Sequence, residues 1–107
     1  MRTWIKVIGP DGKVVFCNLG PTGVALIGRH PNNRIVMDEP GVERYHAVLH
    51  YRQKPYCIQT LRKTQLIFGE HCLTAHACAF LQPGDQVHIG SHTIVLLQDQ
   101  PVISRHN

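Results

Sequence analysis

Gly28 to His50 reads GRHPNNRIVMDEPGVERYHAVLH, and its succession of polar turns and short apolar runs decides the fold. The strand-like runs Ala25 to Ile27 and Arg34 to Met37 bracket a turn in which Arg29 and His30 precede Pro31, Asn32 and Asn33. A second turn, Asp38 to Tyr45, feeds a third strand. From Arg29 to Arg44 only Ile35, Val36, Met37 and Val42 are neither polar, Pro nor Gly, so two charged loops flank one short strand. A four-residue strand spans about 13 Å. Two loops that close together can meet on one ligand, and loops held on a scaffold commonly carry function.

The same punctuation runs outward in both directions. Before the central stretch, Trp4 to Ile8 and Val14 to Leu19 face each other across Pro10-Asp11-Gly12-Lys13, which predicts a hairpin, and Gly20-Pro21-Thr22-Gly23 turns into Val24 to Gly28. After it come Ala47 to Arg52, Tyr56 to Leu61, Gln65 to Phe68, Cys72-Leu73, Ala77 to Leu81, Gln86 to Ile89 and His92 to Gln98. Each is separated from the next by a turn such as Pro83-Gly84-Asp85 or Gly90-Ser91. No window of eleven or more residues keeps helical apolar spacing without a Pro or Gly, and LTAHACAFL, Leu73 to Leu81, is the nearest approach. The expectation is an all-β fold, a two-sheet sandwich of about eleven short strands arranged as a meander. Residues 1–98 form the domain, and residues 99–107, interrupted by Pro101, read as a tail or linker start.

A chain of 107 residues can bury one core without a metal or disulfide, so no cofactor is expected. Cys17, Cys57, Cys72 and Cys78 are irregularly spaced with no C-x-x-C pair and read as buried free thiols. The eight histidines invite a metal reading around His71-Cys72, His76-Cys78 and the pair His88 and His92, but the spacing does not put enough ligands on one face. No nucleophile elbow or phosphate-cradling loop before a helix is present, so an enzyme is not expected. The apolar run after Met1 is broken by Lys6 and ended by Pro10, too short for a signal peptide, and no run approaches membrane-spanning length. These features predict a cytoplasmic domain. A formal charge of +4 suits an acidic partner, without the basic blocks of a nucleic-acid surface.

Several ordered blocks resemble the forkhead-associated (FHA) family, an FHA/SMAD-like eleven-strand sandwich that reads phosphothreonine in partner proteins. Gly28-Arg29 matches its Gly-Arg, Asn33-Arg34-Ile35 its Asn-x-Ile step, and Val42-Glu43-Arg44-Tyr45-His46-Ala47 its Val-Ser-Arg-x-His-Ala block. Leu81 to Gly90, LQPGDQVHIG, matches its Leu-x-Pro-Gly-Asp block, and the resemblance runs from about Val24 to Leu97. It implies that Arg29 is the phosphate-binding arginine, that His46 braces the loop, and that Gly28 supports the site. Two departures stand out. Glu43 replaces the serine whose hydroxyl binds phosphate, and Lys63-Thr64-Gln65 stands where an Asn-Gly-Thr segment is expected.

The chemistry of Glu43 sets the functional expectation. Losing a bond to a charged group costs about 1.5–3 kcal/mol. A carboxylate about 4 Å from a phosphate adds roughly 4 kcal/mol of repulsion at an effective dielectric of about 20. Half of that sum is about a hundredfold in affinity. The chain therefore reads as a protein-protein interaction module with lost or weakened phosphothreonine recognition, its partner another protein, phosphorylated on threonine or not. Glu43 is expected to pair with Arg29 and fill the anion site from within. Two alternatives stand beside this reading: phosphothreonine-peptide binding through Arg29, Arg44 and the basic turn Arg62, Lys63 and Thr64, and a His/Cys metal or catalytic role.

Overall fold

Ile5, Ala25, Ile27, Leu49 and Ile58 sit at alternate positions of their runs and are each at most 1 % exposed, the two-residue period of strands with one face in a core. The computed structural model describes residues 3–61 and 63–97. Eleven strands follow in order: β1 (Trp4–Ile8), β2 (Val14–Asn18), β3 (Val24–Gly28), β4 (Ile35–Val36), β5 (Ala47–His50) and β6 (Tyr56–Thr60). Then come β7 (Gln65–Phe68), β8 (His71–Thr74), β9 (Cys78–Leu81), β10 (Gln86–Ile89) and β11 (His92–Leu96). The fold is the all-β two-sheet sandwich expected from the sequence. One sheet has the order β2-β1-β11-β10-β7-β8 and the other β4-β3-β5-β6-β9. Their inner faces meet in a core that includes Met37, Val42, Leu66, Val87, Ile89 and Ile94. Burying a side chain of this size stabilises by about 1.5–3 kcal/mol.

The path is less simple than a meander, because the chain changes sheet after β2, β6, β8 and β9. The Arg34 to Met37 run contributes only Ile35–Val36 as strand, and it lies parallel to β3, with Ile27 opposite Ile35 and Gly28 opposite Val36. Residues 29–34 connect the two strands, and the Met37 N–H donates to the Gly28 carbonyl at 2.9 Å, so β4 runs alongside the end of β3 as a short edge. The Leu73 to Leu81 segment is not helical. His76 takes a left-handed turn at φ 63°, and the buried Thr60 hydroxyl closes that turn by donating to the Thr74 carbonyl at 2.8 Å while accepting the Ala77 N–H at 3.0 Å.

The reading of the cysteines as buried free thiols is corrected. Cys57 and Cys78 form a disulfide, and of the remaining two Cys17 is half-buried and Cys72 exposed. The cause is register: Cys57 faces Phe80 and Gln59 faces Cys78, so the two cysteines are diagonal neighbours on the outer face of β6 and β9. Their Cα atoms are 6.4 Å apart, within disulfide reach. Residues 99–107, read as a tail, lie outside the described residues. No helix among the described residues is long and apolar enough to cross a membrane.

Candidate partner-binding site

The loop 29–34 leaves β3 at Gly28, and the loop 37–46 enters β5 at Ala47. Main-chain bonds join them: Arg29 N–H donates to Glu43 C=O at 2.9 Å and His30 N–H to Arg44 C=O at 3.1 Å. The loops approach so closely at Gly28 that a Cβ there would lie 2.3 Å from the Arg44 carbonyl oxygen and 2.8 Å from Asn33 Nδ2. Only glycine fits. Asn33 is 6 % exposed and donates from Nδ2 to the same Arg44 carbonyl at 2.7 Å, while its Oδ1 is buried without a protein partner.

His46 ties its own loop to β3 and to the turn between β6 and β7, and every polar group it has is used. Its N–H donates to Ile27 C=O at 2.8 Å, and its C=O accepts from Leu61 N–H at 3.0 Å and from the Thr64 hydroxyl at 2.7 Å. The ring accepts the Glu43 N–H at Nδ1 (3.1 Å), which assigns the ring hydrogen to Nε2, where it is donated to the Gln65 carbonyl at 2.6 Å. The ring therefore fixes the distance between the loop carrying Glu43 and the start of β7. At 4 % exposure it has no surface to offer a partner.

The structure distributes the other sequence-predicted residues unevenly. Arg29, Glu43, Arg44 and Lys63 are exposed at the same end of the sandwich, and Lys63 holds a left-handed conformation at φ 59° in the turn between β6 and β7. Thr64 turns inward: it is 5 % exposed, and its hydroxyl lies 2.7 Å from both the His46 and the Leu61 carbonyls. Arg62 lies outside the described residues.

The expected pair between Glu43 and Arg29 is not formed. Among the described residues the ion pairs are Lys13–Asp11 at 3.8 Å and His92–Glu39 at 2.9 Å, and the Glu43 carboxylate stays beyond 4.0 Å from the Arg29 guanidinium. The contact between these two residues is made by main chain, and both side chains stand in water, where pairing is worth only about 0–1 kcal/mol.

Two features were not legible as site elements. His30 and Tyr45 stack with ring centroids 5.3 Å apart and planes 20° from parallel, one ring from each loop. Each follows a singled-out arginine, and that adjacency is the signal that marks them. Glu39, in the second loop, accepts from Ser91 N–H at 2.7 Å and from His92 Nδ1 at 2.9 Å, tying this loop to the turn between β10 and β11. The Ser91 N–H, and then His92, hold the Glu39 carboxyl below the usual carboxylate range. Among the described residues no group of three or more His, Cys, Asp or Glu side chains is placed to hold a metal ion.

A sequence model described as FHA domain matches residues 25–90. No curated protein sequence matches the chain. Among solved structures, the FHA domain of CT664 from Chlamydia trachomatis is similar at 18 % identity and a TM-score of 0.77, covering 94 % of this chain and 100 % of that one. EmbR of Mycobacterium tuberculosis, solved with a low affinity phosphopeptide, is 22 % identical with a TM-score of 0.76, covering 96 % of this chain and 26 % of that one. The N-terminal FHA domain of S. cerevisiae Rad53p, solved with a phosphothreonine peptide, is 12 % identical with a TM-score of 0.73, over 88 % and 92 %. At these identities the likenesses show the fold.

Proposed function

Because the chain belongs to the FHA domain family, we propose that it is a non-catalytic protein-protein interaction module whose phosphothreonine recognition is weakened by Glu43. The loops 29–34 and 37–46 and the turn at Lys63 form its contact surface. Arg29 and Arg44 present planar guanidinium groups suited to paired bonds with phosphate oxygens, and Lys63 adds a third positive charge. Gly28, Asn33, His46 and Thr64 hold the frame, so Thr64 acts as a support and not as a ligand contact. The observation that carries the reading is the exposure of Arg29, Arg44 and Lys63, none ion-paired with a carboxylate among the described residues, around an equally unpaired Glu43.

Placement in the cytoplasm would leave Cys57 and Cys78 reduced, since reducing pools keep thiols free there. Calorimetry with phosphothreonine peptides and their unphosphorylated counterparts tests the function. The expected result is weak, phosphorylation-dependent binding that Arg29→Ala abolishes and Glu43→Ser strengthens by about tenfold to a hundredfold. Equal affinity for both peptide forms would overturn phosphate recognition, and tight binding by the unaltered chain would overturn the role given to Glu43.

A further inference from the structure

The Glu43 carboxylate is an exposed, unpaired anion carried on a pinned main chain beside Arg29 and Arg44. Both main-chain groups of Glu43 are engaged, its N–H by His46 Nδ1 at 3.1 Å and its C=O by the Arg29 N–H at 2.9 Å. The next residue is held as firmly, because the Arg44 carbonyl receives both the His30 N–H and Asn33 Nδ2. The origins of three charged side chains, at 29, 43 and 44, are thus pinned on one hydrogen-bonded backbone, with the side chains exposed above it. Arg29 does not neutralise Glu43, and no ion pair to it exists among the described residues. A surface of this kind displays plus, minus and plus side by side.

From this we infer that Glu43 selects the neighbours of the anionic residue: the site takes a phosphorylated segment that carries a Lys or Arg close to the phosphothreonine. This rests on the reading of the site as a phosphopeptide surface and names the class of segment it accepts. A segment with phosphate alone meets Arg29 and Arg44 but also the Glu43 carboxylate, and repulsion at a few ångströms opposes it. A segment that also brings an ammonium or guanidinium turns that repulsion into a paired contact. The carboxylate then acts both against the wrong segment and for the right one, and specificity commonly needs both. The net charge of the chain argues the opposite way. At +4, long-range attraction favours the more acidic peptide, so a preference for added positive charge has to come from a local group.

The test is a panel of phosphothreonine peptides in which Lys replaces Ala one position at a time over the three residues on either side of the phosphothreonine. Fluorescence anisotropy reads their binding to the unaltered chain, to Glu43→Gln and to Glu43→Ser. Glu43 is exposed, so both variants keep the fold. For the unaltered chain, Lys at one position or more should tighten binding by about twofold to fivefold relative to Ala, the range of an exposed ion pair. In both variants that ratio should fall to about one, while the all-Ala phosphopeptide binds more tightly than before. A ratio of one or below at every position in the unaltered chain overturns the inference, and if phosphorylation-dependent binding persists the proposed function stands. A Lys preference that survives Glu43→Gln also overturns it, because another group would then be responsible. Absence of phosphorylation-dependent binding for every peptide and every variant overturns both.

Discussion

Replacing Gly28 by alanine tests whether the close approach of the two loops builds the site. The added Cβ would sit 2.3 Å from the Arg44 carbonyl oxygen, 2.8 Å from its carbonyl carbon and 2.8 Å from Asn33 Nδ2. Two of these three atoms are main chain, so no side-chain rotation relieves the clash and the loops must separate. Forcing one extra carbon into a packed site costs about 1–3 kcal/mol. Separation also stretches the bonds that the Arg44 carbonyl accepts from His30 N–H and Asn33 Nδ2, each worth about 0.5–1.5 kcal/mol. The expected loss is about 2–4 kcal/mol, a large part of the 5–15 kcal/mol typical of a domain. With a urea dependence of about 2 kcal/mol per molar, the unfolding midpoint should fall by about 1–2 M without a change in slope. Affinity for phosphothreonine peptide should fall with it, because Arg29 and Arg44 lose their spacing. A midpoint within about 0.3 M of the unaltered protein, with peptide binding intact, would refute the claim that this approach sets the loop geometry.

Two further perturbations address the frame. His46→Ala orphans the Glu43 N–H and the Gln65 carbonyl and leaves a void, and it should destabilise by about 2–4 kcal/mol; hydrogen exchange at the Glu43 amide should accelerate well beyond the global change, and unaltered exchange there would deny the ring its bracing role. Glu39 gives a pH dependence whose sign follows from its lowered pKa. The unfolded chain holds this proton more tightly than the folded one, so the stabilisation is fully present above the unperturbed value of 4.5 and is lost as the pH falls below it through the folded value. Urea midpoints measured from pH 6 to pH 3 should therefore decline less steeply in Glu39→Gln, and parallel curves would count against the Glu39–Ser91 and Glu39–His92 contacts.

The strand-and-turn plan was legible because period-two burial and Pro/Gly turns are local properties. Ile27 and Leu49 announce their inward faces without reference to any partner. Gly28 and His46 were legible through the ordered blocks around them. What stayed hidden depends on which strand lies beside which. Cys57 and Cys78 are 21 residues apart, and only the register of β6 against β9 makes them neighbours. The parallel placement of β4 is likewise a matter of neighbours and not of pattern. At the site, the sequence put an anion beside a cation and suggested a pair, but it carried no information on solvent exposure, and in water the two side chains gain little by meeting. Thr64 shows the reverse case. Its hydroxyl suits a ligand as well as it suits a carbonyl, and burial beside His46 and Leu61 decides between them.

The Cys57–Cys78 bond encloses more than two adjacent strands. Between its ends the chain leaves one sheet, forms the β7–β8 pair in the other, and returns, so the covalent ring spans both layers and contains the Lys63 turn. For the unfolded polymer, joining two residues 21 positions apart forbids the extended excursions of the segment between them. In the chain-entropy account this is worth about 3 kcal/mol at room temperature. The crossover that carries the basic turn is the portion of the chain whose wandering is most curtailed before any native contact forms.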